Sequence, residues 1–156
     1  MRNFKRFDVP STPYFVTTAT LDRKPLFASP RLAQIVVDNI DFYEKRGDYE
    51  LLAFVVMPDH LHILITPMRG SISDNLRNLK CFVAKQVRET IGGSGAIWQV
   101  SFHDRIARCE SDIERFADYI HDNPVEAGMV DDPADYTFSS CSRYAAAGSG
   151  QGPDPR

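Results

Sequence analysis

A chain of 156 residues, 43% of them hydrophobic and 25% charged, is long enough to bury one sizeable core and too short for two comfortable domains. Its formal charge of −3 argues against a protein that coats nucleic acid non-specifically, a task that calls for net basicity, while leaving room for a local basic groove. Cys81, Cys109 and Cys141 are odd in number and widely spaced, which indicates neither a disulfide framework nor a zinc knuckle and fits a reducing cytoplasm. Met1 to Asp8 hold no apolar run of signal-peptide length, and no later stretch approaches the roughly 20 residues that span a bilayer. The expectation is a cytoplasmic protein with no membrane partner.

Tyr14 to Thr20 is rich in β-branched and aromatic residues behind a Pro-Ser-Thr-Pro break, and reads as a first strand. After a loop over Leu21 to Ser29, Ser29 caps and Pro30 opens a helix whose stripe is Leu32, Ile35, Val36, Ile40 and Tyr43, ending at Gly47. Tyr49 to Met57 is nearly continuous apolar sequence, as expected of a covered strand, and Pro58-Asp59 turns it tightly into the next one. In that next strand the alternation of side chains puts His60 and His62 on one face and Leu61, Ile63 and Ile65 on the other. Two imidazoles on adjacent same-face positions can make half of a metal site with open positions for substrate, or can simply be hydrogen-bonded to neighbours.

Ser73 to Ile91 reads as a second helix with Leu76, Leu79, Val83 and Val87 buried, and with Arg77, Lys80, Lys85 and Arg88 off that stripe. Those four cations make either a solvated helix face or a surface that tracks phosphates. Past the flexible Gly92-Gly93-Ser94-Gly95, the segment Ile97 to Cys109 has the aromatic content of a strand with an irregular lead-in and carries Arg105 and Arg108, candidate phosphate contacts. A third helix is expected to open on a Ser111-to-Glu114 capping box and to bury Ile113, Phe116, Ala117 and Ile120. Tyr119 and Asn123 fall one turn apart at the edge of that stripe, and Pro124 is expected to end the helix at Asn123. Tyr136, Phe138 and Tyr144 are expected to pack on the sheet, and the Ala, Gly, Ser and Pro tail over 145–156 to be disordered beyond a single domain over 1–144.

The order strand, helix, strand, strand, helix, strand, helix predicts a ferredoxin-like βαββαβ sandwich of the α+β class. Its antiparallel sheet carries helices on one face, and an additional C-terminal helix carries the tyrosine. Packed on the sheet, that late helix would bring Tyr119 and Asn123 towards His60 and His62.

His60-Leu61-His62 resembles the His-hydrophobic-His motif of the HUH single-strand nucleases. Its context is Val-Met-Pro-Asp-His-Leu-His, then Trp98-Gln99, Phe102 and Asp104-Arg105, then Tyr119-Ile120-His121-Asp122-Asn123-Pro124-Val125-Glu126-Ala127-Gly128-Met129-Val130. Together these are similar to the REP-associated tyrosine transposases over about Tyr14 to Ser140. Asp59 stands where asparagine is commoner in those proteins, Phe138 is a mild change of aromatic before Ser139-Ser140, and the net acidity is unusual for them. The resemblance implies a transposase that acts on single-stranded, hairpin-forming DNA, as a monomer or a homodimer. Tyr119 would attack a backbone phosphate to give a 5′-phosphotyrosine, and His60, His62 and Asn123 would hold the divalent ion, Mg²⁺ or Mn²⁺. A two-histidine, one-amide set with open positions suits such an ion better than a closed zinc site. Arg77, Lys80, Arg105 and Arg108 would contact DNA. The competing readings are a domesticated hairpin-binding protein without turnover and a phosphoesterase that uses water.

Overall fold

The structure, a computed structural model, describes residues 12–144, so the expectations for the first residues and for the tail over 145–156 fall outside it. Four strands, β1 (Tyr14–Ala19), β2 (Tyr49–Met57), β3 (His60–Pro67) and β4 (His103–Ile106), form one sheet in the order β2-β3-β1-β4 with every neighbouring pair antiparallel. Among the described residues three long helices pack on it: α1 (Pro30–Arg46), α2 (Ile72–Ile91) and α3 (Glu110–Glu126). The strand order and connectivity are those of a ferredoxin-like sandwich.

Local chemistry sets the helix ends. Ser29 accepts from the Leu32 N–H ahead of Pro30, and Gly47 closes α1 with φ 91°, a left-handed conformation that glycine adopts without a Cβ clash. Helix α2 starts one residue earlier than expected because Ser71 and Asp74 form a reciprocal capping box. The box expected at Ser111 and Glu114 is absent: α3 begins at Glu110 behind Cys109, and the Asp112 carboxylate reaches back to accept from the Arg108 N–H at 2.8 Å. Nor does Pro124 end α3. It lies in the last turn, where it forgoes one i→i−4 bond but no further full turn has to follow, and its carbonyl accepts from the Met129 N–H at 2.9 Å beside Gly128 at φ 75°. Asn123 therefore stays on the helix. The strand expected over Ile97 to Cys109 is paired only at His103–Ile106, preceded by a single bridge from Trp98 to Thr20.

Both faces of the sheet are covered. Against α1 and α2 lie Tyr14, Val16, Phe54, Val56, Leu61, Ile63 and Ile65; against α3 lie Phe15, Ala53, Val55, Met57 and Leu64. A bulge between Leu51 and Ala53 resets the alternation of β2 so that Phe54 and Val56 turn to the helix pair and Val55 and Met57 to α3. Beyond α3 the chain returns along the outer edge of β2. There Phe138 O accepts from Val56 N at 2.8 Å, Ser140 Oγ from Phe54 N at 2.9 Å, and the Tyr136 hydroxyl donates to Val56 O at 2.6 Å. The edge strand is thereby closed. The three cysteines are free thiols. Among the described residues no helix is long and apolar enough to cross a membrane.

Candidate active site

The site lies between the middle of the sheet and α3. In β3 the alternation sends Leu61 and Ile63 into the α1/α2 core and leaves His60 and His62 on the face that α3 covers, as expected. Their rings stand edge to face with centroids 4.6 Å apart. From α3, the Tyr119 ring meets the His62 ring at 5.4 Å and the Phe15 ring at 5.9 Å, both edge-on. Phe15 in turn contacts His62 at 5.5 Å and stacks on Phe116 at 5.0 Å. A short aromatic file thus carries the position of α3 over to the histidine pair. Tyr119 is 53% exposed, which leaves it open to solvent. Asn123 follows one turn later on the same helix face.

The imidazoles are held from behind. Cross-strand register sets Thr17 opposite His62, and Thr17 Oγ1 lies 2.8 Å from His62 Nδ1. His60 Nδ1 lies 2.7 Å from Asp59 Oδ1, and Asp59 Oδ2 accepts from Arg23 Nε at 3.1 Å. Burial pushes the Asp59 carboxyl up, but the hydrogen bond from His60 and the charge of Arg23 outweigh it and hold the group below its ordinary value. His62 is only 5% exposed; burial above all, with the nearby His60 and Arg23, brings its pKa down to about 3, so the ring is neutral at physiological pH.

With both Nδ1 atoms engaged, each histidine keeps Nε2, and neither Nε2 has a hydrogen-bond partner among the described residues. Two imidazoles with ring centroids 4.6 Å apart, each with an unpartnered Nε2, are a donor set that a divalent cation takes. Among the described residues no group of three His, Cys, Asp or Glu side chains converges. A third protein donor at this place would be an oxygen of another kind, and Asn123 offers one on the facing helix.

The basic residues divide between the two faces. Arg105 opposes Phe15 in register and so projects on the histidine face, with its guanidinium 5.5 Å from the Phe116 ring centroid. Arg108 is exposed in the link from β4 to α3. Arg77 and Lys80 belong to α2, which covers the opposite face. Arg77 is paired with Asp74 at 2.9 Å, and Lys80 donates to Gln99 O at 2.9 Å. His121 is half-buried with Nε2 2.7 Å from Ser140 Oγ, and His103 is exposed on β4. Sequence reasoning missed Thr17, Arg23 and the Phe15–Phe116 stack, together with Arg115, whose guanidinium also lies over Phe116 at 5.2 Å. Adjacency to His60 was the one available signal for Asp59. For the others, strand register and packing between distant segments were needed.

A βαββαβ sheet with a histidine pair faced by a helix-borne tyrosine places the chain among the transposases. The profile of the family described as Transposase IS200 like matches residues 9–123, and the chain belongs to that family. It is 28% identical over 150 residues to the REP-associated tyrosine transposase of Escherichia coli strain K12, covering 95% of this chain and 87% of that protein. A solved structure of the REP-associated tyrosine transposase bound to a REP hairpin matches with a TM-score of 0.74 at 26% identity, over 95% of this chain and 87% of that one. A Deinococcus radiodurans structure shares the fold at a TM-score of 0.50 and 23% identity, over 78% of this chain and 97% of that one. The resemblance read from the sequence and the α+β fold are borne out.

Proposed function

We propose that the protein is a divalent-metal-dependent transposase that cleaves and rejoins hairpin-containing single-stranded DNA through a 5′-phosphotyrosine. Tyr119 is the nucleophile, and His60, His62 and Asn123 are the ligands of Mg²⁺ or Mn²⁺. The observation that carries this reading is the meeting of the two imidazoles and the phenol ring within 5.4 Å of one another in consecutive steps. The relative solved with a REP hairpin supports a DNA hairpin as the partner.

Phosphodiester cleavage needs an oxygen nucleophile and stabilisation of charge on the non-bridging oxygens. When bound, the ion supplies the second by polarising the scissile phosphate. Tyr119 Oη supplies the first: the Oη–P bond forms as the P–O3′ bond breaks, the phenol proton leaves, and the released 3′ oxygen takes up a proton. The phosphoester is conserved in the covalent link, so a second 3′-hydroxyl can reverse the step and rejoin DNA. The phenol hydroxyl and the Asn123 amide have no hydrogen-bond partners among the described residues, so neither is tied down elsewhere. Arg105, and Arg108 after it, stand at the margin of the site where a DNA backbone entering over β4 would need cations. Arg77 and Lys80, on the far face with partners of their own, have no part in this reading. Free thiols in all three cysteines agree with a cytoplasmic place of action.

The test is to incubate purified protein with labelled hairpin oligonucleotides and Mn²⁺ and to look for an SDS-resistant adduct. The adduct is expected to disappear in Tyr119→Phe and with chelator. Hairpin retention with no adduct would instead support binding without turnover, and cleavage that survives Tyr119→Phe would assign the attack to water.

A further inference from the structure

Building on the two-histidine reading above, we infer that Arg23 and Asp59 form a positioning pair that locks His60 in its Nδ1–H tautomer and keeps Nε2 available to a divalent ion. The two histidines are held by chemically different partners. Thr17 Oγ1 can donate or accept, so its 2.8 Å contact is compatible with either tautomer of His62. An ionised carboxylate can only accept. The 2.7 Å contact from His60 Nδ1 to Asp59 Oδ1 therefore requires the hydrogen on Nδ1 and, in the neutral ring, leaves the lone pair on Nε2.

Asp59 is itself held by both its side chain and its main chain. Arg23 Nε binds Asp59 Oδ2 at 3.1 Å, while the Asp59 carbonyl accepts from Thr20 N at 3.0 Å and Thr20 Oγ1 at 3.2 Å. The turn itself is anchored next to it, where Pro58 O accepts from Phe27 N at 2.9 Å. Arg23 reaches Asp59 from a 3-10 turn over Leu21–Arg23 in which Asp22 (φ 58°) and Arg23 (φ 53°) both adopt the left-handed region. Two successive non-glycine residues in that region are costly, and the surrounding structure must hold them there. Strain at a turn that delivers one guanidinium to the carboxylate behind a histidine is what a positioning role predicts. An incidental surface ion pair needs no such backbone. A carboxylate behind a ligating imidazole also makes its Nε2 more basic and fixes the ring plane.

The experiment reads the tautomer first, in metal-free protein. Histidine-selective ¹⁵N labelling with long-range ¹H–¹⁵N correlation is expected to show His60 as Nδ1–H. In Asp59→Ala that preference is lost; in Asp59→Asn, which keeps an acceptor oxygen at the same place, it is retained. Mn²⁺ affinity measured by electron paramagnetic resonance is expected to fall roughly 10- to 100-fold in Asp59→Ala. Asp59→Asn recovers most of that loss, and Arg23→Ala falls between them. An unchanged His60 tautomer in Asp59→Ala, with Mn²⁺ affinity within twofold, overturns the inference and leaves the proposed function standing. A tautomer that follows Asp59 in a wild-type protein that takes up no Mn²⁺ keeps the positioning of His60 and removes the metal reading.

Discussion

Towards α1 and α2, strand β3 presents Leu61, Ile63 and Ile65, all fully buried among aliphatic and aromatic side chains; towards α3, the same eight residues present His60, His62 and Leu64. The helix-pair face is a plain apolar core, each large side chain there worth about 1.5–3 kcal/mol of burial. On the α3 face a neutral imidazole is buried with a threonine partner, and an aromatic file leads to a half-exposed phenol. One face holds the fold together at little chemical risk. The other tolerates buried polar groups because its neighbour has already secured the sheet.

That division can be broken by experiment. The largest separation is expected for Tyr119→Phe, which removes one hydroxyl from an exposed position. Adduct formation should fall by about 10³-fold or more, as expected when a nucleophile is deleted. Its urea denaturation midpoint should stay put, and a matching loss of stability would count against the division. The reverse is expected on the other face. Ile63→Ala should cost about 2–5 kcal/mol in urea denaturation by leaving a cavity, with adduct formed per folded molecule unchanged.

A smaller effect tests how α1 is tied to the start of β2. The hydrogen bond from Arg46 holds the buried Asp48 carboxyl below its ordinary value in spite of desolvation. Its contribution to stability is thus present above the unfolded value of 3.8 and is lost as pH falls through the lower native one. Asp48→Asn should cost about 1–2 kcal/mol at pH 7 by weakening that charge-assisted bond. The difference from wild type should close as pH falls below the lowered native value, where both chains carry a neutral group. A gap that persists at that pH would mean packing, and not charge, sets the effect.

The smallest effect contrasts single cations on the two faces. Arg105→Ala should lower the salt dependence of hairpin binding by about one unit, as for the loss of one phosphate contact, whereas Arg77→Ala should leave it unchanged. Equal slopes for the two variants would place DNA on both faces.

Much of this arrangement was legible in advance because it rests on short-range rules. Period-two alternation separated His60 and His62 from Leu61 and Ile63, and helical spacing put Tyr119 and Asn123 together. Where local rules competed, the reading slipped. Ser111 offered a capping box that lost to Asp112, and Pro124 looked like a helix stop although α3 carries it in its last turn and runs on to Glu126. The strand around β4 was overestimated because aromatic content signals pairing without saying how many residues find a partner.

The sequence by itself determined the order of elements, the face each apolar residue seeks, and which two histidines share a side, since all of these follow from backbone periodicity within one segment. Only the tertiary structure decided that α3 covers the sheet opposite α1 and α2, that Thr17 and Asp59 stand behind the histidines, and that Arg23 reaches Asp59 across 36 residues. Those facts depend on strand register and on packing between segments far apart in the chain, and no local periodicity encodes them.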